Sequence, residues 1–313
     1  MKKWPHEEIV IGKKRVFAAA PYIVSASRAT DIPAFYADEF VSWLKRGWCV
    51  STNPFSGVRT PVVFSRCALF VFWSKNPEPL IRHLPEIAKK VEMIFQFTLN
   101  DYDAEGYERA VPSCPDRMDT FIRLSRLLGK DRVIWRYDPV LLSDSIDTKE
   151  AAKRICRVGD RIHPYTSRLI FSFIKIQRYH KVRRNILRHA PAVRELTDEE
   201  KEAVLTTVSA HSRRNWGISI TSCGTPDIYE PYGISAPGCI SYSHVASLGI
   251  SESGFNAFYG YDAPVLFDGG VPRAVRARGQ QPLCGCIQSK DIGIYDTCSH
   301  GCLYCYATLA PKS

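Results

Sequence analysis

Apolar, β-branched and aromatic runs of five to seven residues recur along this 313-residue chain, with amphipathic stretches between them. Few architectures accept that alternation. The runs are "YIVSAS", "WCVST", "LFVFWS", "EMIFQFT", "RVIWRY", "RLIFSFI", "GISITS" and "DIGIY". Most are almost continuously apolar, the pattern of parallel strands buried on both faces. Helical periodicity follows several of them, in "PAFYADEFVSWLKRG", "PEPLIRHLPEIAKK", "CPDRMDTFIRLSRLLGK", "DTKEAAKRICRVGDRI" and "TDEEKEAVLTTVSAHSRR". In the last, Thr197 precedes Glu200 by three residues, a capping-box pattern. Eight strands alternating with helices predict an α/β fold, a TIM-like (β/α) barrel, full or partial. An open doubly wound sheet is the alternative, but no Gly-rich turn follows the first strand.

In a barrel the chemistry lies at the carboxyl ends of the strands. Those ends are polar here: Ser25, Ser27, Arg28 and Asp31, then Asn53, then Ser74, Lys75 and Asn76. Gln96, Thr98 and Asn100 follow, then Arg136 and Asp138, then Lys175 and Gln177. Each alone is readily a turn or cap residue. Together they predict a polar pocket, with Arg28, Asp31, Lys75, Asn76, Gln96, Arg136 and Asp138 holding a substrate. Residues 224–283 are rich in Gly, Pro, Ser and Tyr and weakly periodic. A connection of that length reads as an irregular cap inserted in a single domain spanning 1–313. Residues 284–313 form a cysteine-rich closing segment.

The N-terminus offers no apolar run long enough for a signal peptide or a membrane span, which points to a cytoplasmic protein. In a reducing compartment eleven cysteines do not form a disulfide framework. Cys49, Cys67, Cys114 and Cys156 are scattered and read as small buried apolar residues. The other seven fall in the last third of the chain. Cys298, Cys302 and Cys305 form C-x3-C-x2-C directly after the last strand run. A loop of that spacing can aim three thiolates at one [4Fe–4S] cluster and leave its fourth iron open. Zinc, which more often takes paired C-x2-C units, and uncomplexed thiols are the alternatives. Cys223, Cys239, Cys284 and Cys286 are candidates for a second iron–sulfur cluster, or for a zinc ion pinning the cap to the barrel. His300, inside the triplet, reads as a hydrogen-bond donor beside the metal rather than a ligand.

The formal net charge of +10 gathers in two basic runs, at 178–189 and 273–278. Such runs attract nucleic acid, although a solvated helix face explains either run by itself. A phosphate-binding surface would draw on Arg178, Lys181, Arg183 and Arg184.

"CSHGCLYCYA" resembles the cluster motif of the radical S-adenosylmethionine superfamily, especially the form found among relatives of spore photoproduct lyase. "SASRATDIPAFY", "FWSKNP", "WRYDPV" and "CGCIQSKDIGIYDTCSHGCLYCYA" together resemble a bacterial family, domain of unknown function 1848, over nearly the whole chain. The superfamily resemblance implies that Cys298, Cys302 and Cys305 hold the cluster and that Tyr304 packs beside it near an adenine. It also implies that Ser25 and Ser27 lie close to the cofactor. S-adenosylmethionine would be cleaved reductively, with electrons from a flavodoxin or ferredoxin, to attack a substrate such as DNA or RNA. Superfamily members carry the triplet after the first barrel strand, whereas here it follows the last, so the barrel would be circularly permuted. An electron carrier or sensor without S-adenosylmethionine chemistry is one alternative. A nucleic-acid-binding protein with structural metals is another.

Overall fold

The computed structural model describes residues 3–53, 56–224, 227–250, 254–260 and 284–310. The chain opens with a hairpin that the sequence pattern did not mark, β1 (His6–Ile11) against β2 (Lys14–Ala19). Its turn places Gly12 at φ 63°, a left-handed value that costs glycine little. β4 (Trp48–Thr52) and β5 (Arg59–Val63) form a second antiparallel pair, giving a four-stranded sheet of order β1-β2-β5-β4. The run "WCVST" therefore lies outside the parallel sheet expected for it. Gly47, left-handed at φ 83°, ends helix α2 (Ala37–Arg46) and turns the chain directly into β4, whose partner follows as a hairpin.

The other seven runs do form one parallel sheet. Its strands are β3 (Ile23–Ser25), β6 (Leu69–Ser74), β7 (Glu92–Thr98), β8 (Val133–Val140), β9 (Arg168–Phe173), β10 (Ser219–Ser222) and β11 (Lys290–Asp291). Their order is β10-β9-β8-β7-β6-β3-β11, and every neighbouring pair is parallel. The expected (β/α) barrel is corrected here: the sheet is open, with β10 and β11 as its edges. Each edge meets another segment, through backbone at β10 and through a side chain at β11. Ser222 N–H donates to Ser235 O at 2.9 Å alongside β10, and Ser51 Oγ donates to Asp291 O at 3.0 Å alongside β11. An unpaired edge is a liability, and these contacts cover it without closure.

Both faces of the sheet are buried, which explains why its strands read as continuous apolar runs. Phe70, Phe72, Phe95, Phe97 and Trp135 project into a core shared with Phe40 of α2, Leu84 of α4 (Leu84–Ala88) and Phe121 of α5 (Cys114–Leu128). Ile155 of α6 (Thr148–Ile162), Ile186 of α7 (His180–His189) and Val204 of α8 (Asp198–Asn215) complete that layer. The capping box at Thr197 and Glu200 is formed at the start of α8. "PEPLIRHLPEIAKK" splits into α3 (Glu78–Ile81) and α4, because Pro85 restarts the helix at its first turn. On the opposite face Ile23, Leu69, Val71, Ile94, Ile134 and Ile170 pack against Ile240, Val245, Phe255, Tyr259 and Ile287. Val245 lies in α9 (Tyr242–Ser247), and Phe255 and Tyr259 in α10 (Phe255–Tyr259). The described part of the expected cap thus covers a whole sheet face rather than the rim of a barrel. No helix among the described residues is long and apolar enough to cross a membrane.

Gly159 of α6 faces the Trp216 ring so closely that a Cβ there would lie 2.2 Å from Cζ2. Gly159→Ala is expected to lower stability by about 1–3 kcal/mol through overpacking, read as a lower urea midpoint at unchanged m-value.

Candidate functional site

Polar side chains gather in two places on this sheet, one at the carboxyl ends of β3, β6 and β7 and one beneath the cap. The first begins where β11 runs parallel beside β3, with Ile292 N–H donating to Ser25 O at 3.0 Å. Gly293 follows, where a Cβ would press on Ala29 N at 3.1 Å and Thr30 N at 3.2 Å, so the two loops meet backbone to backbone. The triplet segment then crosses the strand ends. Tyr36 Oη donates to Thr297 O at 2.9 Å, and Ala110 N–H donates to His300 O at 2.9 Å. Leu303 N–H reaches Tyr107 O, and Tyr306 Oη donates to Arg28 O at 2.8 Å.

Inside this loop Glu108 is the central charge, and it is buried. Lys75 Nζ donates to its Oε1 at 2.7 Å, and Arg117 donates to its Oε2 at 2.8 Å. The Tyr304 hydroxyl donates to Glu108 and accepts from Lys75 Nζ at 2.9 Å and Asn100 Nδ2 at 2.8 Å. Burial alone would raise the Glu108 pKa, but Lys75 and Arg117 override it and hold the carboxyl at about 2. Asp31 caps α1 (Ile32–Phe35) through Ala34 N–H. It also accepts from Ser74 Oγ at 2.7 Å, Lys75 N–H at 2.8 Å and His300 Nε2 at 2.8 Å. His300 thus donates to a buried carboxylate.

Cys298, Cys302 and Cys305 share this loop, with Cys302 and its Tyr304 neighbour buried. Burial pushes the Cys298 thiol up to about 11 and the Cys302 thiol well above its usual value. In type, number and spacing these donors suit a cluster with one open iron. Among the described residues, however, no group of three or more His, Cys, Asp or Glu is arranged to hold a metal ion.

The second centre lies where β7, β8 and β9 face the cap. Arg136 donates to Cys239 Sγ at 2.9 Å and pairs with Asp138, which also accepts from Ser172 Oγ. Gln96 Nε2 donates to Cys239 O at 2.9 Å. Cys223 Sγ lies 3.3 Å from Cys239 Sγ, and Cys286 Sγ accepts from Cys239 N–H at 3.1 Å. A hydrogen bond from the Cys223 thiol holds the Cys239 thiol well below its usual pKa against burial. A bond from the Cys286 thiol brings Cys284 to about 7. None of the eleven cysteines, all of them described, is in a disulfide.

The seven expected substrate residues therefore divide. Asp31 and Lys75 belong to the triplet loop, and Gln96, Arg136 and Asp138 to the thiol centre. Arg28 lies between them, its guanidinium 4.8 Å above the Trp73 ring and within electrostatic reach of Cys286 and Tyr306. Asn76 accepts from Glu78 N–H at the start of α3. Ser25 Oγ bonds Ser289 Oγ at 2.6 Å, while the buried Ser27 hydroxyl has no partner among the described residues. Tyr304, expected beside an adenine, spends its hydroxyl in the Glu108 network. Lys181 bonds both carboxylate oxygens of Asp296, at 2.7 and 2.6 Å, and Ala307 O at 2.9 Å, so it ties α7 to the triplet loop. It is a strut rather than part of a phosphate-binding surface. The basic run at 273–278 lies outside the described residues.

Glu108, Arg117, Ser172 and Arg168 were not singled out in sequence. Nothing local marks Glu108 or Arg117, which sit in a loop and on a helix that only folding joins. A signal did exist for the second centre: Gly-Cys-Ile occurs twice, at 238–240 and 285–287.

Removing Glu108 leaves the buried Arg117 and the half-buried Lys75 without their shared counter-charge. Glu108→Ala is expected to cost about 3–5 kcal/mol in urea unfolding. Because its folded pKa lies below the unfolded value of 4.5, the carboxylate's contribution is complete above that pH. It fades as pH falls through about 2, so the wild-type excess in stability over Glu108→Ala should shrink across that window.

No curated protein matches this chain. A family profile, described as Domain of unknown function (DUF1848), matches residues 23–307, which takes in the parallel sheet, the thiol centre and the triplet loop. With that match extending over nearly its full length, the chain belongs to the DUF1848 family.

Proposed function

We propose that this protein is an iron–sulfur enzyme of the radical S-adenosylmethionine type, with Cys298, Cys302 and Cys305 as the three protein ligands of a [4Fe–4S] cluster. One observation carries the reading: the C-x3-C-x2-C loop leaves an edge strand, β11, and crosses the carboxyl ends of the adjoining parallel strands. Parallel sheets place ligands at that end. An open iron there would supply S-adenosylmethionine with one electron and generate a 5′-deoxyadenosyl radical, the hard chemistry belonging to the cofactor. The chain's own residues do the positioning. The Glu108 network fixes the loop backbone at Tyr304, and Asp31 fixes it at His300. Tyr36 and Lys181 hold its start and end. The buried Ser27 and Thr30 hydroxyls, on either side of Arg28 and Ala29, are polar groups without a partner among the described residues that could meet a cofactor at the strand ends.

The substrate class that this reading favours is anionic. Arg178, Arg183 and Arg184 are exposed on or next to α7, the helix that Lys181 staples to the triplet loop. Lys181 and Asn185 set the helix itself beside the loop, while Arg183 projects from its far side.

Protein purified without oxygen and reconstituted with iron and sulfide should be brown and hold one [4Fe–4S] cluster, which Cys302→Ala abolishes. With dithionite and S-adenosylmethionine it should yield 5′-deoxyadenosine. A stable cluster that gives no 5′-deoxyadenosine would make the protein an electron carrier or sensor, and zinc without iron on the triplet would sink the reading altogether.

If the substrate is a nucleic acid, affinity should fall steeply with salt through counterion release. Reversing Arg183 and Arg184 to Glu should weaken binding to all sequences alike and leave the cluster spectrum unchanged. Absence of DNA or RNA binding at low salt would redirect the search to small anions.

A further inference from the structure

Of the eight cysteines outside the triplet loop, four are brought together by three separate chain segments. Cys223 directly follows β10, Cys239 comes from the cap, and Cys284 and Cys286 precede β11. Two glycines make the approach possible. Gly238 has φ 95°, and a Cβ on it would lie 2.4 Å from the Gly285 carbonyl carbon. A Cβ on Gly285 would meet Ala236 O and Pro237 O at 2.9 Å. Only glycine at both points lets the two backbones touch, and Ile287 N–H then donates to Ile240 O at 3.0 Å. The two Gly-Cys-Ile tripeptides are thereby locked side by side. Cys286 Sγ accepts from the N–H groups of Cys239, at 3.1 Å, and Ile240, at 3.5 Å. Paired amide donors on one sulfur are a setting for a thiolate that binds metal.

We propose that Cys223, Cys239, Cys284 and Cys286 together ligate one thiophilic metal ion of the zinc class, separate from any cluster on the triplet loop. Spacing favours a single ion. Zinc–sulfur bonds of about 2.3 Å in a tetrahedron set neighbouring sulfurs about 3.8 Å apart. Cys223 and Cys239, at 3.3 Å, are already close to that spacing. Charge points the same way. Arg168 is 7% exposed and has no carboxylate partner among the described residues; its guanidinium meets only the His244 ring, at 3.2 Å. It lies within electrostatic reach of Cys239 and Cys286, and Arg136 donates directly to Cys239. Neutral thiols give a buried guanidinium no counter-charge, whereas four thiolates around a divalent ion carry two net negative charges. The sulfurs as placed form a string, Cys223 to Cys239 to Cys286 to Cys284, and closing it around an ion takes side-chain rotation. The ion would pin the cap to the sheet.

The test uses the full chain carrying Cys298→Ala, Cys302→Ala and Cys305→Ala, so that it stands apart from the triplet reading. Expected are about one zinc per chain and no acid-labile sulfide, and replacement by cobalt should give tetrahedral bands with thiolate charge transfer. Adding Cys239→Ser should abolish all three signals. Should that variant not fold, Arg168→Met keeps all four sulfurs and should weaken zinc retention about tenfold or more against a chelator. Four irons with sulfide in the triplet-free chain, a Cys223–Cys239 disulfide in its mass spectrum, failure to bind cobalt, or full zinc retention in Arg168→Met would each overturn the proposal.

Discussion

A single buried carboxylate, Glu108, holds the carboxyl end of this sheet together. It joins Lys75 from the end of β6, Arg117 from α5 and Tyr304 from the last turn of the chain, with Asn100 completing the ring from the end of β7. Burying these charges is costly, and the cost is offset only when all partners are in place. The network therefore tolerates one docking of the triplet loop and penalises others. Asp31 does the same for the other side of the loop, satisfying a helix N-terminus, the Ser74 hydroxyl, the Lys75 amide and His300 with one side chain.

The placement of β11 follows from the same economy of partners. The sheet runs in chain order from β3 to β10, and then the last strand returns to pair with the first. That return brings the triplet beside Arg28 and Asp31, residues nearly the whole chain away from it. β11 is only two residues long, so its two-residue pairing with β3 does not hold it alone. The backbone contact at Gly293 and the side chains around Glu108 and Asp31 supply what the short strand lacks.

The cap shapes the other half of the molecule. By covering the face that a closed barrel would turn inward, it leaves the inward polar residues of β7 and β8 facing Cys239 of the cap. Gln96, Arg136 and Asp138 consequently spend most of their hydrogen bonds within the protein, with Arg136 Nε left without a partner among the described residues. Two centres result on one sheet, with Arg28 between them and in electrostatic contact with both.

The strands of the parallel sheet, the long helices α5, α6 and α8, and the capping box were all legible in sequence, because burial on two faces and a 3.6-residue period leave local patterns. The triplet was legible as well, since its three cysteines are neighbours in the chain. Whether the sheet closes was not legible, because closure depends on what occupies its edges and inner face, and here Ser235, Ser51 and the cap do so. Nor was the assignment of "WCVST" to a second sheet, which rests on a hairpin partner with a less regular pattern. Glu108 looked like any loop carboxylate. It became the centre of the site only when folding set it between the nearby Arg117, Lys75 from the end of β6 and Tyr304 from the triplet loop. The sequence by itself determined which residues could be buried and which thiols stood in series; the tertiary structure alone decided which charges and sulfurs meet, because those meetings depend on backbone crossings such as Gly238 over Gly285 that carry no local signature.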